Sequence, residues 1–256
     1  MRHFSLFGQR LEYLWHGPAA TDAPTLVFLH EGLGSTRLWR DFPMRLADRL
    51  GCGALVYSRF GYGGSDPAEL PRPVNYHEIE ARDVLAPLLA QLGIRDHVLI
   101  GHSDGATIAL LNAAHCPASG LKGVVAEAPH IYVEDITVQG IAAARVQYSK
   151  GLRDRLERHH GPNVDIAFHG WNDTWLRPDF RDWNISACLP SIACPVQVIQ
   201  GEDDEYASLR QIEDIIDGLG GPVDLAVLEQ CGHTPHKDQE DKVMDVITGF
   251  VRSLLP

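Results

Sequence analysis

The apolar run Val98-Leu99-Ile100 leads directly into Gly101-His102-Ser103-Asp104-Gly105, and a helix-compatible stretch at 106–114 follows at once. A turn that passes from strand to helix this sharply strains its backbone and packs it closely, so glycines must flank its centre. The centre residue is then a serine projecting from the end of a strand. The next helix offers it free amides and partial positive charge, where a transient oxyanion would form. Such a turn requires a sheet edge with helices packed around it.

The remaining sequence supplies that frame. Short β-rich apolar runs at 25–30, 54–58, 97–101, 123–128, 195–201 and 223–228 alternate with stretches at 41–50, 76–92, 105–114, 207–219 and 237–254. In the latter, apolar residues recur every three or four positions. The alternation predicts an α/β architecture, a mostly parallel sheet with helices on both faces. It breaks between 131 and 190, where polar-aromatic segments such as His169-Gly170-Trp171-Asn172-Asp173-Thr174-Trp175 replace the strands. This predicts a core in two parts, 1–130 and 191–256, interrupted by a helical cap at 131–190.

Composition narrows the function classes. At 256 residues, with 45% apolar and 22% charged residues, the chain can bury a sizeable core. A formal charge of −12 with no basic patch argues against a nucleic-acid partner. No apolar run reaches the roughly 18 residues of a membrane span, and the N-terminal apolar run is too short for a signal peptide. A cytoplasmic protein is expected, compatible with homo-oligomerisation. Cys52, Cys116, Cys188, Cys194 and Cys231 are scattered and contain no CxxC pair, which predicts buried thiols and neither a disulfide framework nor a metal site. Gly61-Tyr62-Gly63-Gly64 lacks the Lys-Ser/Thr ending of a phosphate loop, so no nucleotide cofactor is expected.

A serine hydroxyl needs a positioned base. Cys231-Gly232-His233-Thr234-Pro235-His236 follows the last strand and precedes the last helix. Gly232 lets the chain turn, and Pro235 should keep the helix from starting too early. His233 is the preferred base, and His236 is assigned to orienting the loop or the C-terminal helix. A carboxylate must in turn hold the imidazole. Gly201-Glu202-Asp203-Asp204-Glu205 offers four candidates, and Glu127, at the end of another strand, is a reserve.

Serine, acid and histidine in that chain order resemble the α/β-hydrolase superfamily, serine-esterase type with a helical cap. His30-Glu31-Gly32-Leu33-Gly34-Ser35 is similar to its His-Gly oxyanion segment, 58–65 to its next glycine-rich turn, and 232–236 to its G-H-x-P-H loop. The resemblance covers about the whole core. Its G-x-x-D spacing after the acid strand implies Asp204, and it implies an oxyanion hole made by the Gly32 and Asp104 amides. Two departures stand out: Glu31 takes the place of the usual glycine, and Ser58-Arg59 opens a turn that often begins with Asp. The Ser-Asp-Gly elbow resembles the valacyclovir-hydrolase-like branch of serine esterases, whose pocket carboxylates have no evident counterpart here. That branch's substrate therefore does not carry over.

The expected activity is cofactor-independent hydrolysis of a small or medium carboxylic ester, thioester or lactone through an acyl-Ser103. Glu31, Tyr148, Trp171 and Trp175 are candidate pocket residues. Carbon–carbon bond cleavage or elimination on the same scaffold, and a non-catalytic small-molecule receptor, are the alternatives.

Overall fold

The computed structural model describes residues 2–116 and 120–255. Six strands, β3 (Thr25–Leu29), β4 (Gly53–Tyr57), β5 (His97–His102), β6 (Leu121–Glu127), β7 (Val196–Gly201) and β8 (Val223–Leu228), run parallel. Each falls within a residue or two of an expected run. Two more, β1 (Arg2–Leu6) and β2 (Gln9–His16), form a hairpin that joins β4 antiparallel. The sheet order is β1-β2-β4-β3-β5-β6-β7-β8. Phe7 and Gly8 both take positive φ, 54° and 79°, as the tight hairpin turn that matches strand twist requires.

The central strands are buried from end to end, and their side chains alternate between two cores. Leu26, Phe28, Val56, Ile100 and Ile199 face a core shared with α1 (Phe42–Leu50) and with Val243, Ile247 and Val251 of the C-terminal helix. Val27, Leu29, Leu55, Leu99, Val124 and Val198 face the other side. That side is covered by a helical run at 76–91, in which α2 (Tyr76–Ile79) and α3 (Ala86–Gln91) are joined by a π-helical turn, and by α4 (Asp104–His115).

Between β6 and β7 the chain is helical: α5 (Asp135–Gln147), α6 (Arg153–His160) and α7 (Val164–Trp175), with 3₁₀ turns. α8 (Leu209–Gly218) follows β7, its first turn capped by the Ser208 hydroxyl. The expected helix at 237–254 is two: α9 (Pro235–Asp238) and α10 (Glu240–Leu254), separated by Gln239 at φ −137°. Pro235 therefore opens a helix instead of delaying one, because proline at the first helical position loses no hydrogen bond and arrives with its φ already set. The free thiols divide: Cys52 and Cys231 are buried, whereas Cys116, Cys188 and Cys194 are only partly covered. Among the described residues no helix is long and apolar enough to cross a membrane.

Candidate active site

Ser103 stands at the junction of β5 and α4 with φ 53° and ψ −118°. Two glycines make that strained turn possible. A Cβ on Gly101 would lie 2.2 Å from the Gly105 carbonyl oxygen, and one on Gly105 would lie 2.0 Å from that of Leu29. Backbone cannot yield by such distances, so only hydrogen fits at either position. The Ser103 amide donates to the Glu127 carbonyl at 2.8 Å, which ties the turn to the end of β6.

His233, on the loop between β8 and α9, faces Ser103 with Nε2 2.9 Å from Oγ. Its Nδ1 lies 2.8 and 2.9 Å from the two Asp204 carboxylate oxygens. A carboxylate on Nδ1 fixes the proton there and leaves the Nε2 lone pair toward the serine hydroxyl. Asp204 is itself held on the loop after β7. It accepts from the amides of Tyr206 (2.7 Å) and Ala207 (3.1 Å) and from Gln200 Nε2 (2.7 Å). Burial pushes its carboxyl up, but the hydrogen bond and charge of His233 and the Tyr206 amide outweigh burial and hold it down at about 2.

The other acids do not meet the His233 ring: Glu205 lines the cavity beside Ser103, but its carboxylate accepts from the His233 backbone amide at 3.3 Å. Asp203 is exposed. Glu127 is fully buried and pairs with His236 Nδ1 at 2.9 Å, whereas the His233 ring nitrogens meet Asp204 and Ser103. His236 is buried beneath Trp39 and Phe42, so it anchors the start of α9.

These groups open on a cavity of about 240 Å³. Glu31, Gly32, Ser103, Asp104, Trp171, Trp175 and His233 all line it. Tyr148 does not. Its ring stacks on Phe168 at 3.6 Å and its hydroxyl donates to Asp165 at 2.6 Å, so α7 turns it away from the cavity. Arg145, Arg153 and Arg177 pair with Asp173, Asp165 and Asp179 on the surface, not with the cavity. The Gly32 and Asp104 amides have no protein acceptor among the described residues. The Asp104 amide is free because it belongs to the first turn of α4. Gly32 has no room for a side chain: a Cβ would sit 2.2 Å from the Trp171 ring.

Several residues of the site carried no signal in the sequence. His130 lines the cavity beside His233, their ring centroids 5.5 Å apart. Burial and the charge of His233 push its imidazole down to about 4, which leaves it neutral near pH 7. His102 donates from Nε2 to the His233 carbonyl at 2.7 Å and so steadies the loop from below. Burial lowers its affinity for a second proton, against the raising effect of Glu31. The Asp104 carboxylate turns from the cavity into a buried cluster, accepting from Tyr76 Oη at 2.8 Å. Tyr76 Oη in turn accepts from Trp175 Nε1 at 2.9 Å, linking α7 to the nucleophile turn. Among the described residues no group of three or more His, Cys, Asp or Glu side chains is arranged to hold a metal.

A largely parallel sheet that presents serine, histidine and carboxylate in contact at the C-terminal ends of its strands defines the α/β-hydrolase class. The chain belongs to the alpha/beta hydrolase family, whose profile matches residues 26–246. It is 24% identical over 270 residues to a 2-succinyl-6-hydroxy-2,4-cyclohexadiene-1-carboxylate synthase of Salmonella paratyphi A, covering 93% of this chain and 97% of that one. Among solved structures, VinJ is 26% identical with a TM-score of 0.77, covering 99% and 98% of the two chains. A thermophilic esterase from Thermogutta terrifontis is 18% identical with a TM-score of 0.75 over the full length of both, a likeness of fold.

Proposed function

We propose that the protein is a cofactor-independent serine hydrolase that cleaves a small carboxylic ester, thioester or lactone through an acyl-Ser103. The observation that carries this reading is the unbroken contact from Asp204 through His233 to Ser103 beside a cavity with two unused amides. His233 Nε2 takes the Ser103 proton as Oγ attacks the carbonyl carbon. The carbonyl oxygen gains the negative charge facing the Gly32 and Asp104 amides, and Asp204 stabilises the imidazolium. His233 then gives the proton to the leaving alcohol, thiol or ring oxygen as the tetrahedral intermediate collapses. Water repeats the sequence in reverse, with His233 as its base, and frees Ser103.

Cavity size supports a short acyl group. About 240 Å³ lies below the ~300–1,000 Å³ typical of sites for larger ligands. Trp171, Trp175, Ile141 and Leu33 supply apolar walls for that group. Hydrolysis of a panel of aryl esters and thioesters with two to eight acyl carbons, by the parent and by Ser103→Ala, tests the reading. Turnover of the shorter substrates that disappears in the variant is expected; turnover that survives in Ser103→Ala overturns it. The relative named as a synthase over nearly the whole chain favours a second reading, in which His233 moves substrate protons and Ser103 is never acylated. No turnover of the ester panel, together with elimination or carbon–carbon cleavage that survives in Ser103→Ala, would point there.

A further inference from the structure

Two residues set apart in the sequence meet in the structure: Arg59, in the turn that departs from the family pattern, and Asp104, the residue after the nucleophile. Arg59 is buried and does not line the cavity. Its Nη2 donates to the Glu31 carbonyl at 2.9 Å, and both terminal nitrogens lie 3.4 Å from Asp104 Oδ2. One guanidinium therefore touches the peptide that carries the Gly32 amide and the side chain of the residue that carries the other free amide.

We propose that Arg59 is a positioning residue that aims both oxyanion-binding amides, an assignment that rests on the hydrolase reading above. In a trans peptide the carbonyl and the following N–H point in opposite directions, so fixing the Glu31 oxygen fixes where the Gly32 N–H is aimed. Three donors hold that oxygen: the Gly34 amide at 3.0 Å, His30 Nδ1 at 2.7 Å and Arg59. Arg59 supplies the charged donor, and charge-assisted bonds are roughly twice as strong as neutral ones. It also sets the second donor. Its backbone N–H donates to His30 Nε2 at 3.1 Å, which leaves the His30 proton on Nδ1, facing Glu31.

At the other amide, Asp104 opens α4, and its carboxylate is clamped by Arg59, by Tyr76 Oη and by the His77 ring, whose Nε2 is 3.3 Å away. A clamped side chain restrains the backbone from which it hangs, and hence the direction of the Asp104 N–H. The Tyr62 ring packs against the guanidinium, with its centroid 4.8 Å from Cζ, and keeps the fork in register. Arg59 and Asp104 thus form one device: the carboxylate gives the guanidinium a reason to be buried, and the guanidinium spans both halves of the hole.

Removing Arg59 alone would strand a buried carboxylate, so the test pairs Arg59→Met with Asp104→Asn and adds Arg59→Lys. Each protein is assayed for kcat, KM and urea unfolding. Each is also assayed for inhibition by a trifluoromethyl ketone, which binds as a tetrahedral oxyanion on serine. The folded double variant is expected to lose ~10²-fold in kcat with KM within about threefold, the loss typical of one oxyanion donor. Its inhibitor affinity should fall by a similar factor. Arg59→Lys keeps the buried charge but cannot span both partners, so it should lose about tenfold in kcat and in inhibitor affinity. Parent-like kcat and inhibitor affinity in the double variant, or in Arg59→Lys should the double variant not fold, would overturn the proposal. A parent that neither turns over esters nor binds the ketone would instead overturn the hydrolase reading itself.

Discussion

Replacing Asp204 by Asn tests the polar relay through two independent quantities. The carboxylate accepts from His233, two backbone amides and Gln200, and burial together with these partners leaves its carboxyl at about 2 against an ordinary 3.8. That interval corresponds to about 2 kcal/mol of folding stability. The sign follows from a depressed folded-state value. The contribution is complete above about 3.8 and is lost as pH falls through about 2. Urea unfolding at pH 7 should therefore show Asp204→Asn destabilised by up to about 2 kcal/mol. For a chain of this size that is a fall in Tm of roughly 4–8 °C. The gap between parent and variant should narrow as pH falls from about 4 toward about 2.

The kinetic effect should be far larger. An amide nitrogen presented to His233 Nδ1 favours the tautomer with its proton on Nε2, which then has no lone pair for Ser103, and kcat should fall ~10⁴-fold. Asp203→Asn, one residue away but exposed, should leave both quantities close to the parent. An Asp204→Asn variant with kcat within tenfold of the parent, or an Asp203→Asn variant with the larger loss, would refute the reasoning.

Glu127→Ala leaves His236 buried without its partner and should destabilise the fold by about 3 kcal/mol in urea melts, while the folded fraction keeps kcat within about tenfold. Gly105→Ala places a methyl 2.0 Å from the Leu29 oxygen, so soluble yield and Tm should collapse together. Trp171→Ala removes a wall of the cavity and should move the acyl-length optimum upward in the ester panel, whereas an unchanged optimum would place the acyl group elsewhere.

Ser103 and His233 were legible in the sequence because their chemistry comes with local constraints: glycines beside a strained turn, and a loop between a strand and a helix. The six parallel strands were legible because strands buried on both faces read as continuous apolar runs. The hairpin β1–β2 was not, since an edge pair buries few side chains, and its polar residues, such as Arg2, His3, Gln9 and Arg10, mask the alternation. Asp204 needed the family's spacing, because four neighbouring acids are alike until the fold decides which one turns inward. The pairing of Arg59 with Asp104 joins residues 45 positions apart, and that of Glu127 with His236 joins residues 109 apart. No local pattern encodes such contacts. Tyr148 illustrates the converse: an aromatic residue in the expected cap packs against Phe168 and leaves the cavity wall to Trp171 and Trp175.

The central claim is that Ser103 Oγ attacks a carbonyl, and labelling tests it without knowledge of the natural substrate. Intact-protein mass spectrometry after treatment with a small fluorophosphonate should show one adduct on the parent, mapped to Ser103 by peptide analysis. It should show none on Ser103→Ala, and slower labelling on His233→Ala. Folded parent protein that acquires no adduct, or an adduct that persists in Ser103→Ala, would contradict the account.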